Sequence, residues 1–252
     1  MSDSAANIGI SSRPMTGLSL VESARRRRVA PRRAACLLVE TVAVTIAAVL
    51  AIRLLAETSL HESLWFLSPA VLVAAALVPT IVRKDQFPEI GLSRRNAKEI
   101  LLVLACTCVV VFGAAFFGLW LLTRHGLEAP LRVIPQGNRQ LLSWLLYQFL
   151  YAAVAEEVFF RGYLQGNILR LTATIRRETD RLSLRNWTSI ILSAVCFAAA
   201  HVIVQGQAAS VLTFLPGLVL GWLFIRTRSL LAPILFHGLA NTFYCICTAL
   251  LA

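Results

Sequence analysis

The sequence predicts an all-α protein, a polytopic bundle of about seven transmembrane helices with a cytoplasmic N-terminus. Of the 252 residues, 58% are apolar and only 15% are charged, and the mean hydropathy is +0.72. Soluble globular chains are nearer roughly half apolar and a quarter charged. The excess apolar surface therefore needs a covering of lipid. Basic residues stand at the ends of the apolar segments, which gives the bundle a direction.

Seven stretches of the chain are long and apolar enough for a membrane span, which takes about 20 residues. They lie at about residues 34–56, 64–82, 100–122, 140–163, 188–205, 208–225 and 230–251. Short polar turns separate the last three stretches, at Gln205–Gln207 and at Arg226–Ser229. Connections this short predict that the last three helices are antiparallel neighbours.

The polar segment 1–33 ends in two arginine clusters, Arg25–Arg28 and Arg32–Arg33. The apolar run that follows is too long for the core of a signal peptide, so we predict a retained first helix. Residues 1–33 are predicted to form a disordered basic cytoplasmic tail, and residues 34–252 the transmembrane domain.

The distribution of lysine and arginine predicts the orientation. Nineteen of the 24 basic residues fall in the tail and in segments 83–99, 164–187 and 226–229, which all lie on one side of the predicted bundle. Three basic residues, Arg124, Arg132 and Arg139, fall on the other side. The positive-inside rule then places the N-terminus inside and the C-terminus outside, in a multi-pass protein of the cell membrane.

Two features of the composition are given no functional role. The net charge of +11 does not indicate a nucleic-acid partner, because the basic residues form no patch interleaved with aromatic residues. The cysteines all lie within apolar runs, where a free cysteine behaves as a small packing or lipid-facing residue. They are Cys36, Cys106, Cys108, Cys196, Cys245 and Cys247.

Charged residues inside the fourth apolar stretch are the first indication of a functional site. Charges within a membrane are costly and persist where they are paired or take part in chemistry. Glu157 and Arg161 are four residues apart, so they share a helix face and are expected to pair. Glu156 is rotated by about 100° from Glu157 and has no partner nearby in the sequence. Arg53, at the end of the first stretch, can reach the membrane interface.

Two further helices bring polar groups into the membrane. The fifth stretch carries His201 after three alanines, and the seventh carries His237 and Asn241 on one helix face. Small residues, such as these alanines and Gly238, allow helices to approach closely. Polar groups from three helices predict one shared polar cavity, since isolated intramembrane charges are costly.

These residues match three motifs of a known family. Glu156-Glu157-x-x-x-Arg161, Phe197-x-x-x-His201 and His237-x-x-x-Asn241 occur in the order found in the CPBP (CAAX-processing and bacteriocin-processing) intramembrane proteases. The chain resembles that family over about residues 140–245, which places a protease-like core at about 140–252.

The resemblance implies an intramembrane endopeptidase that hydrolyses a peptide bond of a membrane-associated or lipidated protein. It implies that Glu156 and His201 activate water and that His237 and Asn241 stabilise the oxyanion. The supporting residues are Glu157, Arg161 and Phe197. No cofactor is expected: two histidines and a carboxylate are suitable zinc ligands in type, but no HExxH motif is present.

The resemblance requires Glu156 and His201 to lie close together in the folded protein. If the fourth helix ends at residue 163, Glu156 and His201 lie at opposite depths of the membrane and cannot meet. We therefore predict one helix from about 140 to 171, with Glu156 and His201 no more than about one helix diameter apart, roughly 10 Å. The expected partners are a peptide or membrane-protein substrate and the lipid bilayer. The alternatives are a non-catalytic immunity or scaffold protein of the same fold and a proton-coupled transporter.

Overall fold

The computed structural model describes residues 31–58, 67–84, 97–126, 143–173 and 184–251, and these ranges contain no strand. The helices are α1 (Pro31–Glu57), α2 (Leu67–Val82), α3 (Ala97–Arg124), α4 (143–173), α5 (Leu184–Gln205), α6 (Phe214–Thr227) and α7 (Leu231–Leu251). The 3-10 turn Ala208–Thr213 leads directly into α6. These helices confirm an all-α bundle, with one helix for each predicted span.

Five of the helical segments are long and apolar enough to cross a membrane: α1, Lys98–Arg124 of α3, α5, Ala208–Thr227 and α7. Helix α2 is apolar but has only 16 residues. The predicted tail up to residue 30 lies outside the described residues. Helix α1 begins at Pro31, which places Arg32 and Arg33 in its first turn. Proline suits the first position of a helix because its fixed φ angle is helical and its missing N–H needs no partner there.

Helix α4 is one continuous helix, as predicted, and it carries the two adjacent glutamates. It extends to Ala173, so the end of the fourth apolar stretch at residue 163 is wrong as a helix boundary. Tyr147–Ala153 and Val158–Gln165 are π-helical, and Val154–Glu157 is a short α-helical stretch between them. Continuation of the helix beyond residue 163 places Glu156 near its middle, at a depth where other helices can reach it.

The last three helices pack as neighbours, with α6 in contact with both α5 and α7. Two glycines of α6 allow the close approach to α5. A Cβ atom on Gly217 would lie 3.2 Å from the Cβ of Ala194, and one on Gly221 would lie 3.2 Å from Cγ2 of Ile190. The connection between α6 and α7 is residues 228–230, and Arg228 has a left-handed φ of 51°. The contacts of α6 with α5 and α7 confirm that the last three helices pack as neighbours.

Helices α1 and α2 lie on the other side of α4. They pack on each other, α2 packs along the second π-helical stretch of α4, and α1 also contacts α5. Polar contacts join these helices at the end of the bundle where the basic residues are concentrated. Glu40 pairs with Arg83 and accepts a hydrogen bond from the Tyr163 hydroxyl at 3.1 Å. Asn167 donates to the Thr41 hydroxyl at 3.2 Å. The first two helices are thus anchored to the helix that carries the glutamates.

Candidate active site

A buried ion pair on α4 forms the centre of the site. Nη1 of Arg161 lies 2.9 Å from Oε1 of Glu157, and both side chains are 0% exposed. Nη2 of Arg161 donates to the carbonyl oxygen of Gly217 at 3.3 Å. The Arg161 guanidinium also lies over the ring of Phe197, 4.4 Å from its centroid. The predicted pairing of Glu157 with Arg161 is confirmed, and Phe197 packs directly on it.

The Glu157 carboxylate also orients a histidine from α7. Nδ1 of His237 lies 2.8 Å from Oε1 of Glu157, the same oxygen that faces Arg161. A carboxylate paired with arginine can only accept hydrogen bonds, so Nδ1 of His237 carries the proton. In the neutral imidazole, Nε2 of His237 therefore has a free lone pair.

Glu156 lies on another face of α4 and has different surroundings. Its Oε2 is 3.7 Å from Nε2 of His201 and 3.8 Å from Nε2 of His237. Oε2 is buried and accepts no hydrogen bond from any residue that the structure describes. The side chain as a whole is 22% exposed. The distance to His201 is well within the predicted limit, so three helices bring Glu156, His201 and His237 together.

His201 is oriented by its own helix. Its Nδ1 lies 2.9 Å from the carbonyl oxygen of Phe197, one turn earlier on α5. A carbonyl oxygen only accepts, so the proton is on Nδ1 and the lone pair of Nε2 faces Glu156. The Phe197 ring packs against the His201 ring with centroids 4.3 Å apart. Phe197 therefore contacts both the buried arginine and the half-buried histidine.

Asn241 has a partner that the sequence reasoning missed. It follows His237 by one turn of α7, and its Nδ2 donates to Oε1 of Gln148 on α4 at 2.7 Å. The sequence signal for Gln148 was an amide side chain within an apolar stretch, but no motif drew attention to it. Close packing holds these two helices in register, because a Cβ on Gly238 would lie 2.4 Å from Cδ1 of Phe149.

An apolar cavity of about 260 Å³ adjoins Glu156 and His201. It lies between helices α1 and α2 on one side and α4 and α5 on the other. Its apolar walls include Val49, Ile52, Leu72, Phe160 and Val204. A polar centre next to an apolar cavity has the character of a binding site for a largely apolar molecule.

The described ranges contain no group of three or more His, Cys, Asp or Glu side chains arranged to hold a metal ion. All six cysteines are free thiols, two of them buried in α7 and two of them exposed.

The fold and the site define a polytopic membrane protein with a buried centre of carboxylate and imidazole groups. Residues 138–243 match the sequence model of a family described as type II CAAX prenyl endopeptidase Rce1-like. The matched segment contains all seven predicted site residues, and the match confirms the resemblance expected over about 140–245. The match indicates that the chain is a membrane-embedded endopeptidase similar to the CAAX proteases. No curated protein and no solved structure gives a significant match to the chain.

Proposed function

We propose that this protein hydrolyses a peptide bond with a water molecule activated by Glu156 and His201. The observation that carries the proposal is the position of Oε2 of Glu156, 3.7 Å from His201 Nε2 and 3.8 Å from His237 Nε2. These separations exceed hydrogen-bond length, and contacts of this kind are commonly bridged by water. Oε2 of Glu156 and Nε2 of His201 can accept the two hydrogens of one water molecule.

The proposed reaction begins when Glu156 takes a proton from the water as general base. The water oxygen attacks the carbonyl carbon of the peptide bond and forms a tetrahedral oxyanion. The carbon–nitrogen bond then breaks, and the proton held by Glu156 passes to the leaving amine, directly or through His201. Hydrogen-bond donors aimed at the oxyanion lower the barrier to this step.

We assign His237 and Asn241 as the hydrogen-bond donors to the oxyanion. Each residue already makes one hydrogen bond within the protein, which limits the N–H groups that it can offer to the substrate. Because Nδ1 of His237 already serves Glu157, Nε2 can donate only when the ring is doubly protonated. Asn241 uses one N–H for Gln148, which leaves its second N–H for the substrate.

The proposed substrate is a membrane-associated or lipidated peptide or protein. The apolar walls next to Glu156 support this class, because they suit an apolar chain better than a hydrated one. The family description names prenyl substrates. Prenylated and unprenylated forms of the same candidate peptide should therefore be compared directly.

The proposed mechanism has no step through a metal ion. Two imidazole nitrogens and a carboxylate are nevertheless ligand types that zinc accepts. Chelation separates the two mechanisms: proteolysis should be unchanged by EDTA. Loss of activity in EDTA with recovery on addition of zinc would contradict the metal-free proposal.

The decisive experiment compares Glu156→Gln with the unaltered protein, purified and reconstituted in lipid. The amide cannot act as a base, so the rate of peptide cleavage should fall by roughly 10²–10⁴-fold. The readout is the new amino terminus produced from each candidate peptide. The matched control is Glu99→Gln, which makes the same chemical change in an ion pair with Arg226 outside the site. Unchanged cleavage by the Glu156→Gln protein would exclude the glutamate mechanism.

A further inference from the structure

A glutamine on α5 lines the same cavity as Glu156 and His201. Gln205 is the last residue of α5, and it shares a helix face with His201 because the two residues are four positions apart. Four residues span roughly 6 Å along a helix axis. The cavity therefore contains an amide side chain one helical turn away from the proposed reacting groups.

The Gln205 amide is held at its carbonyl end by a buried serine. The Ser210 hydroxyl donates to Oε1 of Gln205 at 2.5 Å, and Ser210 is 0% exposed. The backbone of Ser210 is itself fixed, because its N–H donates to the carbonyl oxygen of Gln207 at 3.1 Å and its carbonyl oxygen accepts from the Thr213 hydroxyl at 2.7 Å. With Oε1 occupied by Ser210, the N–H groups of Nε2 are the part of the amide that can serve a ligand.

An N–H donor in a largely apolar cavity selects a ligand that carries an acceptor. The walls beside Gln205 include Ile52, Leu72 and Val204. A peptide presents acceptors at regular intervals, because each residue has a main-chain carbonyl oxygen. An extended peptide advances roughly 3.3 Å per residue, so the distance of roughly 6 Å along α5 between His201 and Gln205 corresponds to about two residues of substrate.

We propose that Gln205 is a substrate-binding residue whose Nε2 donates to a main-chain carbonyl oxygen about two residues from the cleaved bond. The inference rests on the proposed function and deepens it. Ser210 is a positioning residue, since it fixes the orientation of the Gln205 amide. A contact with the main chain does not depend on the substrate's side chains. Gln205 therefore sets the register of the peptide without selecting its sequence.

The test measures the Kd of fluorescently labelled candidate peptides, prenylated and unprenylated, for the Glu156→Gln protein reconstituted in lipid. Into this parent protein, Gln205→Leu removes the whole amide, whereas Gln205→Glu keeps an acceptor for Ser210 but removes the N–H donors. Ser210→Ala releases the amide from its fixed orientation. Gln207→Leu is the matched control, because it removes an amide from the exposed turn after α5, outside the cavity lining.

Loss of one neutral hydrogen bond should raise Kd by roughly 2–10-fold in Gln205→Leu and Gln205→Glu. The rise should be smaller in Ser210→Ala and absent in Gln207→Leu. The acceptor on the peptide is located by placing a thioamide at each peptide bond in turn, because sulfur is a weak acceptor. One thioamide position should raise Kd when Gln205 is present and have no effect in Gln205→Leu.

Equal Kd values for Gln205→Leu and the parent protein, or the same thioamide profile in both, would overturn the role of Gln205. If the parent protein binds none of the peptides, the proposed substrate class fails and this inference fails with it. The Kd values do not depend on which group activates water, so they separate failure of this inference from failure of the Glu156 mechanism.

Discussion

At the scale of single residues, the two adjacent glutamates illustrate how a rotation of about 100° along a helix separates two environments. Glu157 is fully buried and holds both Arg161 and His237 through one oxygen. Glu156 is partly exposed beside the cavity, and two histidine nitrogens face it from 3.7 and 3.8 Å. These surroundings support the proposed roles, in which Glu157 supports the site and Glu156 reacts.

The supporting glutamate predicts a loss of stability on substitution. Glu157→Gln leaves Arg161 buried without its carboxylate, and breaking such a pair costs about 3–5 kcal/mol. Thermal unfolding in detergent should show a clear loss for Glu157→Gln and little change for Glu156→Gln, which removes no arginine pair. Adding Arg161→Met to the Glu157→Gln protein should recover part of the lost stability. Equal melting temperatures for the two single variants would contradict this division of roles.

Gln148 is predicted to position Asn241. Gln148→Leu removes the acceptor of a hydrogen bond worth about 1 kcal/mol. If that energy orients Asn241 in the transition state, kcat should fall by roughly fivefold with KM unchanged. Gln148→Glu keeps an acceptor oxygen and should retain more activity.

Leu150→Ala is the control for Gln148→Leu, because Leu150 lies two residues further along α4 and is 67% exposed. If kcat falls equally in Gln148→Leu and Gln148→Glu, the acceptor oxygen of Gln148 does not position Asn241. Steady-state kinetics on one peptide substrate is sufficient for this comparison.

Six of the motif residues were noticed from helix spacing and from the cost of polar groups within the membrane. Phe197 came from the resemblance to the family motif, and Gln148 was not predicted. Glu156, His201 and His237 stood out because charge and imidazole are rare inside apolar runs. An amide is a weaker signal, and its role depends on which residue of α7 it meets. That contact is set by the packing of Gly238 against Phe149, which a single sequence does not reveal.

At the scale of elements, the sequence predicted seven helices and the length of α4, but not its internal geometry. The π-helical stretches Tyr147–Ala153 and Val158–Gln165 have no residue pattern that separates them from α-helix. Such wide turns often occur at functional sites. Here, they flank the glutamates, and the carbonyl oxygen of Phe160 within the second stretch accepts a hydrogen bond from Ser193 of α5.

The contact between α4 and α7 predicts a steric effect at Gly238. A Cβ there would lie 2.4 Å from Cδ1 of Phe149, so Gly238→Ala forces a rotation of the ring or a shift of α7. Overpacking of this kind costs about 1–3 kcal/mol. Phe149→Leu should relieve much of the loss when it is combined with Gly238→Ala.

Gly113→Ala on α3 is the matched control, because a Cβ at Gly113 meets nothing within 4 Å. It should be neutral or slightly stabilising, since alanine favours helix over glycine by about 1 kcal/mol. Thermal unfolding of the two single variants and the Phe149→Leu double variant completes the comparison. Equal stability of Gly113→Ala and Gly238→Ala would show that this close approach is not required.

At the scale of the whole molecule, the family segment contains the candidate reactive groups, and the preceding helices form much of the cavity wall. Residues 138–243 contain the candidate catalytic side chains, but Val49 and Ile52 on α1 and Leu72 on α2 line the space beside them. Contacts of Glu40 and Arg83 with the end of α4 hold this wall in place. In the proposed mechanism, reactivity and selectivity are thus assigned to different parts of the chain.

This division predicts that a change on α1 alters substrate choice without altering the chemistry. Ile52 is buried against the cavity, so Ile52→Trp should reduce the space available to a bulky side chain beside the scissile bond. Differences of one methylene in an apolar pocket are worth about 1–3 kcal/mol, or roughly 10–200-fold in kcat/KM. In the Ile52→Trp protein, kcat/KM for peptides with large apolar residues should fall by at least that factor relative to kcat/KM for peptides with alanine.

Leu54→Trp is the control, because Leu54 lies on the same helix and is 63% exposed. This substitution should leave the ratio of the two kcat/KM values unchanged. An unchanged ratio in Ile52→Trp, measured with a folded protein that still cleaves the alanine peptides, would show that the substrate reaches Glu156 by another route.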